Sequence, residues 1–253
     1  MRQASPERIP MAATVVRFEK VSKSFGRARV LREVEFELHA GEFLGLAGEN
    51  GAGKTTLLKC MLDFCSMDSG AIMVHGIPSS RPEARRHLVF LPERFTPPWF
   101  FTGREFVRFM LRLSGAGWDE TAVRAMFAEL DLEERSLEAP VRSYSKGMTQ
   151  KLGLAASFLA PRDLYVLDEP MSGLDPSARA RVKGILRRLK GQGRTLLFTS
   201  HSLADVDEIC DHMLVLHRGV VAFHGAAQAL RDRYGESSLE RAFLKCVGAH
   251  SHG

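Results

Sequence analysis

Two alternating stretches open the patterned part of the chain. In "TVVRFEKVSKSF" (residues 14–25) and "EVEFELHAGEFLGLAG" (residues 33–48), apolar and polar residues largely trade places position by position. That period of two predicts strands, read here as antiparallel. Short strands follow around "GAIMVHG" and at "HLVFLPE". From about Thr102 to Ala160 the period becomes helical, with "GREFVRFMLRLS" and "DETAVRAMFAELDL" as amphipathic segments. Then "DLYVLDE", apolar along its whole run, predicts a buried strand. A helix from about Pro176 to Lys190, the strand "RTLLFTSH" and the helix "SLADVDEICD" come next. "HMLVLHRGVVAFHG" reads as a closing hairpin with Gly219 near its turn.

Strands alternating with helices and no long repeat predict an α/β fold with a mainly parallel sheet. The helical block, at about residues 94–160, reads as an inserted subdomain. Residues 1–13 carry no pattern and are expected to be disordered; the body runs over 14–226. The tail, 227–253, contains "SSLERAFLKCVG", where Leu239, Phe243, Leu244 and Val247 recur at helical spacing.

Composition narrows the setting. At 253 residues and 45% apolar, the chain can bury a full core. A net charge of +5 permits an acidic partner without requiring one. The basic run from Arg179 to Arg194 lacks interleaved aromatic rings to stack bases, so it reads as a solvated helix face, and no nucleic-acid partner is expected. Cys60, Cys65, Cys210 and Cys246 make no CxxC pair and are expected to be reduced. No apolar run reaches the length of a transmembrane helix, and the N-terminal stretch lacks the apolar core of a signal peptide. The expectation is a soluble chain that a partner could hold at a membrane.

The chemistry begins at "GENGAGKTT", which fits G-x-x-x-x-G-K-[ST] directly after an apolar strand. Gly48, Glu49, Asn50, Gly51, Ala52, Gly53, Lys54, Thr55 and Thr56 are the candidate phosphate loop. Its glycines let backbone N–H groups approach oxygen atoms, and the helix that follows presents free amides to an anion. Lys54 adds charge for the β- and γ-phosphates, and the Thr55 hydroxyl is the expected Mg²⁺ ligand. Hydrolysis further needs a metal carboxylate and a group acting on water. "LYVLDEP" offers both: Asp168 for Mg²⁺ and Glu169 beside it, at the end of a buried strand, where such sheets bind ligands. His201 ends a second such strand and is read as a γ-phosphate contact. The other eight histidines are read as structural, and the terminal "HSHG" has too few ligands for a metal site.

With these residues in place, the chain resembles the ATP-binding cassette (ABC) ATPases. "YSKGMTQK" (residues 144–151) is similar to the family signature LSGGQ, with Ser145 and Gly147 at the positions that touch the γ-phosphate. Tyr144, Lys146 and Met148 depart from the commonest form in the manner of the ABC-2 type exporter branch. "SGLDP" (residues 172–176) resembles the D-loop and adds Asp175. His201 matches the switch histidine, and Phe25 the ring that stacks on adenine. The resemblance runs from about Val15 to Gly225.

The resemblance implies a P-loop NTPase (RecA-like) core with an antiparallel β subdomain and an inserted helical subdomain. It implies ATP and Mg²⁺ as cofactors and an ATPase in which Glu169 acts on water. It implies two cassettes, expected to be identical, paired head-to-tail, so that ATP on one P-loop is covered by Ser145 and Gly147 of the other. It implies polytopic permease subunits as partners, a peripheral place on the cytoplasmic face of the membrane, and export as the direction. A soluble ABC-type assembly factor without a membrane partner is the alternative, and a nucleotide-binding module without turnover ranks below both.

Two segments stand apart. Where the family's Q-loop carries Gln, "VFLPERF" has Glu93. A carboxylate still ligates Mg²⁺ but adds negative charge near the γ-phosphate, which predicts retained, slowed hydrolysis. Next, Trp99, Phe100 and Phe101 either pack inside the helical subdomain or wall a groove that grips a helix of a membrane subunit.

Overall fold

A computed structural model describes residues 13–249. The disorder expected for the N-terminal segment, apart from residue 13, and the reading of "HSHG" fall outside the described residues.

The chain begins with β1 (Thr14–Phe25) and β2 (Ala28–His39), an antiparallel pair. β3 (Phe43–Ala47) leads through the phosphate loop into α1 (Lys54–Met61). β4 (Ser69–Val74) and the two-residue β5 (Ile77–Pro78) complete a four-stranded antiparallel sheet of order β2-β1-β4-β5. β6 (Leu88–Leu91) follows, then α2 (Gly103–Leu113), α3 (Glu120–Glu129) and α4 (Lys146–Leu159). β7 (Leu164–Leu167), α5 (Pro176–Gly191), β8 (Thr195–Thr199) and α6 (Leu203–Ile209) alternate. β9 (His212–His217), β10 (Val220–Gly225), α7 (Ala227–Tyr234) and α8 (Leu239–Ala249) close the described chain. The second sheet has the order β10-β9-β3-β8-β7-β6, parallel throughout except for the β9–β10 hairpin.

The second alternating stretch thus divides between two sheets. β2 pairs antiparallel with β1, but β3 lies parallel between β8 and β9. Gly41, at a φ of 76°, turns the chain between them. "FLGLA" is buried at all five positions, the mark of a strand covered on both faces.

Side-chain alternation then separates two cores. Leu44, Leu46, Val166, Leu197, Leu214 and Leu216 face one way, onto α1 and the antiparallel sheet. Phe43, Ala47, Tyr165, Leu167, Phe198 and Met213 face the other, onto residues of α2 to α6 and α8. Period-two strands between two covering layers give this result.

The helices start on local signals. Thr102 caps α2 in a reciprocal capping box with Glu105, and Asp119 caps α3 through the amides of Thr121 and Ala122. Arg104 joins those two helices by bonding Glu120 of α3. The tail helix α8 buries Leu239, Ala242, Cys246 and Val247, while Leu244 is 63% exposed. Of the four residues at helical spacing, Leu239 and Val247 are buried, and Ala242 and Cys246 complete the buried face.

Candidate functional site

β3, β6, β7 and β8 are parallel neighbours, so their carboxyl ends emerge on one side of the sheet. There a cleft of about 310 Å³ opens. Glu49 to Thr56 line it, together with Glu93 after β6, Asp168 and Glu169 after β7, and His201 after β8. Residues up to 152 positions apart in sequence meet because of strand order alone.

The loop is shaped by contacts behind it. Gly53, at a φ of 111°, is the N-cap of α1, and a Cβ there would stand 2.8 Å from the Val30 carbonyl oxygen. Any larger residue would push the loop out of place. Gly51 instead faces open space, with nothing within 4 Å of a built Cβ. The Lys54 ammonium is buried and donates to the carbonyls of Gly48 at 2.6 Å and Glu49 at 3.2 Å. Burial pulls its pKa down, against the opposing charges of Glu169, Asp168 and Glu93.

The carboxylates sit in a polar frame that the sequence reading missed. Thr199, fully buried at the end of β8, donates from Oγ1 to Asp168 Oδ1 at 2.6 Å. The same oxygen accepts the Glu169 N–H at 2.8 Å. One hydroxyl thereby fixes one carboxylate and the backbone of the next. Glu169 needs that support: its φ of 49° lies in the left-handed region, a conformation costing on the order of 1 kcal/mol or more for a residue with a side chain. The available signal was a hydroxyl residue at the carboxyl end of a buried strand, two residues before His201.

Burial raises the pKa of both carboxylates, countered at Asp168 chiefly by Thr199 and at Glu169 chiefly by the nearby His201. His201 Nε2 is 3.2 Å from Glu169 Oε1, yet off the line of a hydrogen bond, so that buried oxygen accepts from no donor. The His201 N–H reaches Glu169 Oε2 at 3.4 Å. Among the described residues Glu169 Oε1 is thus a buried acceptor beside His201 with no hydrogen-bond donor.

These residues fit a triphosphate with a divalent cation. Glu93, Asp168 and Glu169 all act electrostatically on the Lys54 region, an accumulation of negative charge that a cation would offset. Among the described residues no three His, Cys, Asp or Glu side chains converge to hold a metal unaided. Thr55, Asp168 and Glu93 would hold Mg²⁺ together with phosphate oxygens and water, the usual sharing for this ion.

The other predicted residues lie elsewhere. Phe25, at the end of β1, is 53% exposed, with the Lys23 ammonium 5.2 Å from its ring centre. Ser145 caps α4 by accepting the Met148 N–H at 3.2 Å, and Asp175 caps α5 by accepting the Ala178 N–H at 2.9 Å. That bond holds the Asp175 carboxyl below its ordinary pKa. A Cβ on Gly147 would lie 3.8 Å from the Gly173 carbonyl oxygen, so the signature and D-loop segments adjoin. None of Phe25, Ser145, Gly147 and Asp175 is among the residues lining the cleft. Gln150, a buried residue of α4, donates to the Pro170 carbonyl at 3.0 Å and ties the signature helix to the segment just after Glu169. Of the aromatic run, Phe101 packs against the core, whereas Trp99 and Phe100 are 65% and 63% exposed.

Comparison with known proteins agrees with this geometry. Residues 31–172 match the family described as ABC transporter. An uncharacterized ABC transporter ATP-binding protein of Synechocystis is 36% identical over 234 residues, covering 88% of this chain and 66% of that protein. The Nod factor export ATP-binding protein I of Burkholderia orbicola is 36% identical over 226 residues, covering 87% and 73%. The chain thus spans about two thirds to three quarters of these relatives' length. A solved ATP-binding subunit of an ABC transporter is 29% identical, with a TM-score of 0.85, over 92% of this chain and 99% of that one. A dimeric bacterial ABC transporter cassette, 20% identical over 83% of this chain and 98% of that one with a TM-score of 0.76, shares the fold. The order of phosphate loop, signature, paired carboxylates and strand-end histidine, on this fold and with these relatives, makes the chain a member of the ABC transporter family: an ATP-binding cassette ATPase.

Proposed function

We propose that the chain is the energising subunit of a membrane exporter, acting as a pair of cassettes on separate polytopic permease subunits at the cytoplasmic face. The observation that carries this reading is the separation of two half-sites. The phosphate loop, Asp168, Glu169 and His201 share one cleft, while Ser145 and Gly147 of the same chain are not part of it. Ser145 and Gly147 stand at the N-terminus of the 14-residue α4, an end suited to anions. A second copy, turned head-to-tail, would bring that end to the γ-phosphate held by the first.

In this reading the loop amides and Lys54 hold the β- and γ-phosphates, and Phe25 stacks on adenine. Thr55, Asp168 and Glu93 would hold Mg²⁺, which would supply charge neutralisation at the phosphates. Glu169 Oε1 accepts the proton of the water whose oxygen attacks the γ-phosphorus; the bond to the β-phosphate oxygen breaks and ADP leaves. His201 donates to a γ-phosphate oxygen. Only ATP reaches both cassettes, so its binding closes the pair and its cleavage lets them part.

The export direction rests on the named activity of relatives such as the Nod factor export protein. The exposed Trp99 and Phe100 rings, joined through Phe101 to Phe109, form an apolar strip suited to a permease helix. No helix among the described residues is long and apolar enough to cross a membrane.

The test is the mass in solution of Glu169→Gln, whose slowed turnover preserves the ATP-bound state. A dimer with ATP and a monomer with ADP are expected. A monomer at saturating ATP, both alone and with its permease, would contradict the reading.

A further inference from the structure

The far end of α1 holds a second chemically distinctive group. Cys60 lies in the last turn of the helix and is 2% exposed; Cys65 follows in the next loop and is half-buried. The chain reverses between them. Leu62 is the C-cap, Asp63 takes a φ of 62°, and the amides of Phe64 and Cys65 both donate to the Lys59 carbonyl, at 2.8 and 3.3 Å. This reversal sets Cys65 Sγ 3.5 Å from Cys60 Sγ. Lys23 stands beside the pair: its ammonium bonds Asp68 at 3.1 Å and acts electrostatically on Cys60. Neither thiol takes part in the nucleotide chemistry derived above.

Thiols buried only as small apolar groups have no need of one another. Here a short reverse turn presents one sulfur to the other, with one partner reachable from solvent. We propose that Cys60 and Cys65 form a dithiol site at which a small-molecule disulfide, RSSR, reversibly oxidises the pair to an intrachain disulfide.

Exposure sets the order of events. The Cys65 thiolate attacks one sulfur of RSSR; a Cys65–SR mixed disulfide forms and RS⁻ leaves. Cys60 then loses its proton to solvent or to RS⁻ and attacks Cys65 Sγ. The Cys60–Cys65 bond forms and the second RS⁻ leaves. In sum, two protein thiols are oxidised and RSSR is reduced to two RSH. The second step is the slow one, because the Cys60 thiol is pushed up to about 12, by burial first and then by its hydrogen bond to, and the charge of, Cys65.

The site is placed to act on the surface beside the nucleotide rather than on the phosphates. Cys60 is six residues past Lys54, about 9 Å along a helix rising 1.5 Å per residue. Phe64, between the two cysteines, packs edge-on to Phe90 with ring centres 5.9 Å apart. Both rings line a groove that also includes Pro92 and Glu93. A disulfide would hold the Phe64 side of that groove in one arrangement.

The experiment treats the native full-length chain with glutathione disulfide, traps free thiols by alkylation, and follows intact mass and peptide maps over time. The expected course is one glutathionyl group on Cys65, then its loss to leave a Cys60–Cys65 link and a protein lighter by two hydrogen atoms. Dithiothreitol should restore the starting mass. Cys60→Ser should stop at the glutathionyl stage. Cys65→Ser should leave Cys60 at least about tenfold slower to react, given the dependence of thiol reactivity on access. The proposal is overturned if the native wild-type chain forms no Cys60–Cys65 link. It is equally overturned if the link joins Cys210 or Cys246 instead, or if Cys65→Ser reacts as fast as wild type. The wild-type peptide map decides the matter even if a variant fails to fold.

Discussion

The cleft and the signature end of α4 are built on opposite terms. At the centre of the cleft Lys54, Asp168 and Glu169 are buried and held by the chain itself: Lys54 by two loop carbonyls, Asp168 and the Glu169 amide by a single Thr199 hydroxyl. At the signature, Ser145 is exposed and bonds only within its own helix start, through the Met148 amide. The aromatic strip is like the signature, with two large rings turned to solvent. One region is preorganised by its own chain, which suits a group acting on reacting atoms. The other regions turn polar and aromatic groups to solvent, which suits surfaces that another chain covers.

The largest effect that would sharpen this contrast should come from Thr199→Val. It keeps the side chain's shape but leaves Asp168 Oδ1 without its donor and the Glu169 N–H without its acceptor, a loss of about 1–3 kcal/mol of stability by chemical denaturation. Turnover measured as phosphate release should fall by about tenfold or more, since 1.4 kcal/mol in a barrier is a factor of ten. Thr199→Ser should restore most of both. If Val and Ser behave alike, the hydroxyl bridge is not what organises the cleft.

A smaller change is expected from Glu93→Gln, which removes one of the negative charges acting on Lys54 and Asp168. Turnover should rise a few-fold and the Mg²⁺ concentration for half-maximal rate should increase, because an amide oxygen is the weaker ligand. Unchanged turnover and metal dependence would remove Glu93 from the account.

The smallest effect on ATP chemistry belongs to Trp99→Ala. Nucleotide binding by the isolated chain should be unaltered, as the ring is 65% exposed and outside the cleft. Copurification of permease from detergent extract should drop. Loss of folding instead would show that the ring is structural.

Much of this contrast is legible in the sequence. The phosphate loop, "LYVLDEP" and "TLLFTSH" announce themselves because an apolar strand ending in a charged or glycine-rich segment is a strong pattern, and parallel neighbours put such ends together. Thr199 is not distinctive in the sequence because threonine is ordinary in a strand, and β8 has a second at Thr195; only the pairing of β7 with β8 gives the Thr199 hydroxyl two partners. The division of residues 33–48 between sheets was hidden for a related reason. Alternation tells which residues face a core, while the partner of a strand is chosen by packing far away in sequence. The Phe101 ring shows the same limit: it packs half-buried against the core and its neighbours Trp99 and Phe100 do not, though all three are apolar.

The central claim, that each cleft is completed by the signature of a second copy, is tested most directly by mixing two disabled chains. Lys54→Ala removes the phosphate-loop cation, and Ser145→Arg blocks the signature; each alone should release little phosphate. Mixed with ATP, the intact signature of the first can cover the intact cleft of the second. Phosphate release well above the sum of the separate variants is the predicted result, and a mixture no more active than that sum would contradict the account.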